Sequence, residues 1–154
     1  MTDGRAIQIL LVEDDPAHAE IVRRNLADFA VANAITHLAD GQLALDYLSQ
    51  AVPGASDGPH PWPDLILLDL RLPRVDGIEV LQWLKASPTH RRIPIVILTT
   101  SSAERDVVAA YDEGAVSYLV KPVDCQQFAA LLESFGFYWL NWNQFPQVAG
   151  RASE

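Results

Sequence analysis

Short apolar runs alternate along this chain with segments whose apolar residues recur at helical spacing. Five runs predict strands: AIQILLVE (6–13), AITHLAD (34–40), LILLD (65–69), IPIVILTT (93–100) and SYLVKP (117–122). The first, third and fourth are almost continuously apolar, which is typical of parallel strands covered on both faces. Because a helical segment follows each strand, the pattern predicts an α/β fold: an open, doubly wound, five-stranded parallel sheet with helices on both faces.

Polar residues before the helical segments predict where those helices begin. Asp15, which is followed by a proline, is a suitable N-cap for the first helix, and Asp40 for the second. Ser101 and Glu104 have the spacing of a capping box before the fourth helix. The Pro- and Gly-rich segment VPGASDGPHPWPD (52–64) predicts a long exposed loop between the second helix and the third strand.

Size and charge narrow the classes of function. A chain of 154 residues is large enough to form one domain with its own core. Its net charge of −9 argues against nucleic-acid binding, which needs a basic surface, so we expect a protein or a cation as the partner. The sequence shows neither signal-peptide anatomy nor an apolar run long enough to span a bilayer. We therefore expect a cytoplasmic protein without a membrane partner.

Chemically active side chains follow the predicted strands at their carboxyl ends, where ligands of open α/β sheets bind. Glu13 and Asp14 end the first strand, Asp69 the third, Thr99 the fourth and Lys121 the fifth. Converging carboxylates repel one another, and either Mg²⁺ or the lysine ammonium can relieve that repulsion. Such a set can hold a tetrahedral phosphoryl group, and carboxylates that form aspartyl phosphates are known nucleophiles.

Four motifs carry a resemblance to a known family. LLVEDDP, PDLILLDLRLPRVDG, PIVILTTSSAE and YLVKPVD, in this order and at this spacing, resemble the motifs of the bacterial response-regulator receiver domain over residues 7–135. The resemblance implies a flavodoxin-like sheet with strand order 2-1-3-4-5. It also implies that the protein is not an enzyme. Such a protein accepts a phosphoryl group from a histidine kinase and takes part in its own phosphorylation and dephosphorylation.

The same resemblance assigns roles at the acidic end of the site. Asp69 matches the phosphoacceptor. Metal ligation is implied for Asp14, for Glu13 through water, for Asp69 itself and for the backbone carbonyl of Arg71, with Mg²⁺ as the ion and Mn²⁺ as the alternative. The side chain of Arg71 is expected to shield the acyl phosphate from water or to pair with Glu13.

The remaining implied roles concern the response to phosphorylation. Thr99 matches the switch hydroxyl, Tyr118 the aromatic residue that moves inward with it, and Lys121 the lysine that pairs with the phosphoryl group. In this family the bond after that lysine is typically cis, so we expect a cis peptide bond between Lys121 and Pro122. The four histidines share no metal-ligand spacing and no strand-end position, and we expect no role for any of them.

Loop length and tail composition narrow the family further. The insert before the third strand and the aromatic tail FGFYWLNWNQFP are similar to the stand-alone regulators paired with phytochrome-type histidine kinases. We divide the chain into a receiver domain, 1–135, and an aromatic C-terminal extension, 136–154, which continues the last helix. Bulky apolar residues of this extension fall on more than one helix face, so we expect it to contribute to a homodimer contact.

Other functions stay open from the sequence. One alternative is a receiver-like interaction module, which would have the same fold but would never accept a phosphoryl group. A haloacid-dehalogenase-like phosphotransferase would usually have an aspartate two residues after the nucleophile, where this chain has Arg71. A flavin-binding protein of flavodoxin type would have a Ser/Thr/Gly-rich loop after the first strand, which the sequence lacks. Because no output domain follows in this sequence, we expect a signal to pass on by protein contact, to a target that the sequence does not name, or the domain to act as a phosphate relay or sink.

Overall fold

A five-stranded parallel sheet forms the centre of the molecule, with strand order β2-β1-β3-β4-β5. The structure is a computed structural model, and it describes residues 6–29 and 31–145. The elements in chain order are β1 Ile7–Val12, α1 Pro16–Ala27, β2 Asn33–Leu38, α2 Gly41–Gln50, β3 Leu65–Leu68, α3 Gly77–Ala86, β4 Ile95–Thr99, α4 Glu104–Asp112, β5 Ser117–Val120 and α5 Cys125–Gly136, followed by a π-helical segment, Phe137–Trp142. The predicted flavodoxin-like fold and strand order are confirmed.

Successive side chains of a strand point to opposite faces of the sheet, and this divides the core into two layers. Leu10 of β1 and Leu68 of β3 face α2, α3 and α4, whereas Leu11 and Leu67 face α1 and α5. All residues of β3 and β4 are buried. A strand that is covered on both faces has no position for a solvated side chain, which explains why these two runs are continuously apolar.

Capping residues confirm the predicted starts of α1 and α2. The carboxylate of Asp15 accepts from the backbone N–H groups of the first turn of α1, and Asp40 accepts from Leu43. The capping box predicted for α4 is wrong. Its N-cap is Ala103, and no side chain caps this helix, because the hydroxyl of Ser101 donates to Asp106 inside the helix instead.

The loop of residues 52–64 is only partly the exposed segment that its composition predicts. Trp62 is 1% exposed and packs under the loop in the layer of α2 and α3. Its backbone N–H donates to the carbonyl of Ala55 over 2.7 Å, and Tyr47 of α2 donates its hydroxyl to Pro61 over 2.7 Å. The loop is therefore anchored at its C-terminal end, while its tip around Gly58 is exposed.

The chain beyond α5 divides its apolar residues between the core and the surface. Leu140 is buried with α1 and α5, and Trp139 packs partly against the same layer. Phe137, Tyr138 and Trp142 are 56%, 55% and 68% exposed. Residues 146–154 of the predicted extension lie outside the described residues. Within the described ranges, no helix has both the length and the apolar character that a bilayer crossing requires.

Candidate functional site

Backbone hydrogen bonds hold three of the predicted site residues at the carboxyl edge of the sheet. Glu13, Asp69 and Lys121 each follow the last residue of a strand. Their N–H groups donate to carbonyls of the neighbouring strands: Glu13 to Leu38 over 2.9 Å, Asp69 to Val12 over 3.1 Å and Lys121 to Thr99 over 2.7 Å. The hydrogen bonds between strands therefore continue one residue beyond each strand. They fix the backbone positions from which these side chains project into the site.

The ammonium of Lys121 is the centre of the site. It is buried, and it donates to Asp69 Oδ2 over 3.0 Å and to Glu13 Oε1 in a shorter contact. A third acceptor, His18 Nδ1, lies 3.0 Å from the same nitrogen. An ammonium group has three donors and no acceptor, so its hydrogen-bonding capacity is fully used.

Glu13 carries a carboxylate that is almost completely withdrawn from water, with 1% of the residue exposed. Burial raises the pKa of Glu13 above its ordinary value, and the hydrogen bond from Lys121 opposes that shift. The second carboxylate oxygen accepts from the backbone N–H of Asp15 over 3.0 Å. His37 of β2 approaches the backbone carbonyl of Glu13 to 2.7 Å, so both the side chain and the main chain of this residue are held.

Three carboxylates meet beside the lysine. Oxygen atoms of Glu13, Asp14 and Asp69 lie within 4.8 Å of one another, with Asp14 on the exposed side. Against three carboxylates the cluster contains one ammonium, so a divalent cation would balance the remaining charge of the ionised groups. Hard oxygen ligands on an open side suit Mg²⁺ or Mn²⁺, which keep waters and take phosphate oxygens as further ligands. The residues therefore fit the ion that the sequence predicts.

The loop after Asp69 brings the start of α3 against the site. Gly77, the first residue of α3, donates its N–H to the carbonyl of Leu70 over 2.9 Å. A Cβ built on Gly77 would lie 2.2 Å from the carbonyl oxygen of Asp69. Only glycine permits this approach. The N–H of Arg71 donates to Asp69 Oδ1 over 3.3 Å, which leaves the two oxygens of Asp69 on different partners.

Thr99 and Tyr118 lie on β4 and β5 at the same edge of the sheet. Thr99 is completely buried, and its hydroxyl oxygen lies 3.5 Å from the N–H of Ser101. Tyr118 is half-buried and donates its hydroxyl to the carbonyl of Ser101 over 2.9 Å. Burial raises the pKa of Tyr118, so the phenol keeps its proton and acts as a donor here. Ser101 thus contacts both predicted switch residues.

The side chain of Arg71 does not pair with Glu13, and its shielding of an acyl phosphate stays a prediction. Its guanidinium pairs with Asp106 of α4, and the same Asp106 oxygen accepts from the hydroxyl of Ser101. Asp106 is mostly buried whereas Glu13 is already paired with Lys121, which explains the choice of partner. The contact joins the loop after β3 to α4.

Two expectations from the sequence are corrected at the site. The described residues contain no cis peptide bond, so the bond between Lys121 and Pro122 is trans, the isomer of lower energy for most bonds to proline. His18 was expected to have no role, yet it contacts Lys121 and lies 3.9 Å from Glu13. His18 lies in the first turn of α1 and not at the end of a strand, so the rule that points to strand ends does not predict it. Only the packing of α1 beside α5, where the His18 ring contacts Phe128, brings it to the site.

This fold and this site define a class of protein, and the comparison with known families agrees. The family model of the response regulator receiver domain matches residues 9–133. The chain therefore belongs to the response regulator receiver domain family.

Among curated relatives, the chain is 43% identical over 141 residues to the probable methanogenesis regulatory protein FilR2 of Methanothrix harundinacea, covering 92% of this chain and 88% of that protein. It is 38% identical over 138 residues to the response regulator Rcp1 of Synechocystis sp., covering 90% of this chain and 92% of the relative.

Solved structures of phytochrome response regulators share this fold. The phosphorylated cyanobacterial phytochrome response regulator RcpA superposes with a TM-score of 0.84 at 35% identity, covering 92% of this chain and 99% of RcpA. The Mn²⁺-bound form of Rcp1 superposes with a TM-score of 0.83 at 36% identity, covering 91% of this chain and 99% of that one. The predicted similarity to stand-alone phytochrome regulators is confirmed.

Proposed function

We propose that this protein is a response regulator that accepts a phosphoryl group on Asp69 from a histidine kinase and passes the signal on by protein contact. The contact between the ammonium of Lys121 and Asp69 Oδ2, 3.0 Å long and shielded from water, carries the proposal. It places a cation beside the carboxylate at which negative charge would accumulate during phosphoryl transfer.

The reaction needs little from the protein beyond positioning. A carboxylate oxygen of Asp69 attacks the phosphorus of the kinase phosphohistidine, the new O–P bond forms as the N–P bond breaks, and the electron pair stays on the imidazole nitrogen of the kinase. Lys121 then donates to a phosphoryl oxygen. Asp14, Asp69, the carbonyl of Arg71 and, through water, Glu13 would hold Mg²⁺, which would neutralise charge on the phosphoryl oxygens. The protein is a reactant in this step and not a turnover catalyst.

Two residues respond to the phosphoryl group in this proposal. The hydroxyl of Thr99 moves to a phosphoryl oxygen, and Tyr118 leaves the carbonyl of Ser101 and turns inward. The observation that supports it is the shared contact of both residues with Ser101, so a shift of that loop alters both. The surface of α4 and β5 would change for a partner.

Intact-mass measurement after incubation with acetyl phosphate and Mg²⁺ tests the reaction. We expect one phosphoryl adduct in the wild type and none in Asp69→Asn. Asp64→Asn, which alters a buried aspartate at the other end of β3, is the matched control and should still form the adduct. Chelation of Mg²⁺ with EDTA should abolish the adduct in both reactive proteins. A wild type that stays unmodified, even with a cognate kinase, would contradict the proposal and favour a receiver-like interaction module that is never phosphorylated.

The partner that we propose is a phytochrome-type histidine kinase in the cytoplasm. The similarity to RcpA over nearly its whole length supports it, because RcpA is a cyanobacterial phytochrome response regulator. Phosphotransfer from such a kinase to the wild type, compared with transfer to Asp69→Asn, tests the pairing. Transfer that is no faster than from an unrelated histidine kinase would contradict it.

We further propose a homodimer whose contact includes the C-terminal extension. The alternative, in which the aromatic residues cover the protein's own surface, holds for Leu140 and in part for Trp139. It does not hold for Phe137, Tyr138 and Trp142, each more than half exposed, and Phe137 and Trp142 lie together with ring centroids 6.4 Å apart. Exposed aromatic groups of this kind are typical interface anchors, and a second copy offers the same self-complementary patch.

Sedimentation tests the dimer without disturbing the core. Phe137→Ser combined with Trp142→Ser removes the two exposed rings that lie together and leaves buried Leu140 in place, so we expect a folded monomer. Val52→Ser replaces an exposed apolar residue in the loop of residues 52–64, on the other layer of the core, and should sediment like the wild type. A double variant that remains dimeric would overturn the proposal, as would a wild type that is monomeric at micromolar concentration.

A further inference from the structure

His18 lies beside the reacting carboxylate, although no role is assigned to it in the proposed function. Its Nδ1 is 3.0 Å from Lys121 Nζ, and its ring packs edge-on against Phe128 of α5 with centroids 5.9 Å apart. The side chain is 30% exposed, whereas that of Lys121 is 1% exposed. It therefore closes the site between the lysine and solvent.

The contact with Lys121 decides which nitrogen of the imidazole carries hydrogen. An ammonium only donates, so Nδ1 accepts and has no proton. The proton of the neutral ring is then on Nε2, which faces Asp15 Oδ2 at 3.5 Å. The N-cap carboxylate of α1 thus orients the ring that orients the lysine.

We infer that His18 is a positioning residue for phosphorylation: by accepting one hydrogen bond from Lys121, it directs another donor of that ammonium to the phosphoryl group on Asp69. This inference rests on the proposed function. Of the three acceptors around Lys121 Nζ, Glu13 and His18 are not reactants, so on this inference they keep their contacts with the ammonium. The donor that points at Asp69 Oδ2 is then the one that follows the phosphoryl oxygen.

The consequence is a lysine whose direction is set before the phosphodonor arrives. Without His18, the ammonium keeps two protein acceptors and can turn its third donor to water, because the partly exposed imidazole lies between the ammonium and solvent. Reorienting a flexible cation during the reaction adds to the barrier, whereas a preorganised donor does not. The effect should appear in the rate at saturating phosphodonor more than in the concentration needed for saturation.

Two substitutions separate the acceptor from the ring. In His18→Asn the amide oxygen can occupy the position of Nδ1, but the ring contact with Phe128 is lost. In His18→Phe a ring is kept against Phe128, but the acceptor is lost. We expect His18→Phe to react with acetyl phosphate about tenfold more slowly at saturation, the effect of losing a hydrogen bond to a charged group. His18→Asn should stay within about threefold of the wild type, which would count as rescue of the acceptor.

A second readout needs no phosphorylation. The chain has two lysines, Lys85 and Lys121, so ¹⁵N-lysine labelling gives two side-chain ammonium signals. We expect the Lys121 signal to be sharp in the wild type and in His18→Asn, and broadened by exchange with water in His18→Phe. Lys85, which donates to the carbonyl of Arg91 over 2.9 Å, is the internal control and should not change.

The outcomes separate the inference from the proposed function. A wild type without an adduct overturns the phosphoryl-acceptor proposal, and the Lys121 signal then still decides whether His18 orients the lysine. A wild type that reacts while His18→Phe reacts equally fast overturns the inference. So does His18→Asn reacting as slowly as His18→Phe, because the ring packing and not the acceptor would then matter.

Discussion

Gly77 and Asp69 are in such close contact that no side chain fits between them: a Cβ on Gly77 would lie 2.2 Å from the carbonyl oxygen of Asp69. The first turn of α3 therefore rests on the backbone of the residue proposed to accept the phosphoryl group. Its position is set by a helix as well as by a strand.

Gly77→Ala should accordingly displace the loop that carries Asp69. We expect a loss of about 1–3 kcal/mol in the free energy of unfolding, the usual cost of overpacking, together with slower adduct formation. Urea denaturation and intact-mass time courses measure the two effects. Gly58→Ala adds a Cβ where nothing lies within 4 Å, although the backbone φ of +85° disfavours alanine there; it should therefore cost some stability but leave the phosphorylation rate unchanged. An equally slow Gly58→Ala would argue against the contact as the cause.

Lys121 is expected to stabilise the fold as well as to take part in the reaction, since it neutralises buried Glu13 and Asp69. Lys121→Met should cost about 3–5 kcal/mol in the absence of divalent cations, because it leaves two buried carboxylates without their counter-charge. Adding Glu13→Gln should recover at least about 1 kcal/mol of that loss, which a double-mutant cycle in urea measures. The more exposed Lys85→Met should cost much less. Strict additivity of the two site variants would refute the coupling.

The pair of Asp40 and Arg74 predicts a pH dependence with a defined sign. The backbone N–H of Leu43 and the guanidinium of Arg74 hold the pKa of Asp40 below its ordinary value of 3.8. A carboxyl whose pKa is lower in the folded state stabilises the protein above the unfolded pKa and loses that effect as pH falls through the folded one.

Asp40→Asn keeps an oxygen for the cap and loses the charge. Its deficit in the midpoint of urea unfolding should be present at about pH 7, should shrink as the pH falls below the ordinary pKa of 3.8, and should be lost below the lower pKa of the folded state. Asp57→Asn, in the exposed loop, should show no deficit at either pH. A deficit for Asp40→Asn that does not change with pH would mean that the charge is not its source.

Trp62 anchors the loop of residues 52–64 through packing rather than through its few hydrogen bonds. It is 1% exposed, and its ring lies 4.9 Å from that of buried His90. Trp62→Ala should therefore lower the free energy of unfolding by about 3–5 kcal/mol. Val52→Ala, in the same loop but 61% exposed, should change it by no more than about 0.5 kcal/mol. Thermal and urea unfolding give both values, and a mild Trp62→Ala would show that the loop is not part of the core.

The sequence predicts the strands and most of the acidic site for one physical reason. Runs such as LILL in β3 have no polar position, so they are buried on both faces, and the residues after them meet at one edge of a parallel sheet. Glu13, Asp69 and Lys121 lie together for this reason, although 108 positions separate Glu13 from Lys121.

The features that the sequence does not predict depend on which partner a side chain contacts in another helix, strand or loop. Ser101 has the spacing of a cap, but Asp106 competes for its hydroxyl, and Arg71 contacts that same carboxylate. Trp62 lies in a segment whose composition indicates a surface loop, and a neighbouring buried histidine gives it a place in the core. His18 reaches Lys121 only through the packing of α1 beside α5. None of these contacts follows from periodicity or local spacing.

The hydrogen bonds that tie Glu13, Asp69 and Lys121 into the sheet have a mechanical consequence. Their amides are part of the ladder and should exchange with deuterium as slowly as the strands do, unlike the amides of the loops that follow. A group attached to Asp69 therefore meets a rigid backbone, because the sheet hydrogen bonds hold the main chain of these three residues. The displacement that it causes has to appear one or two residues further on, in the loops that face a partner.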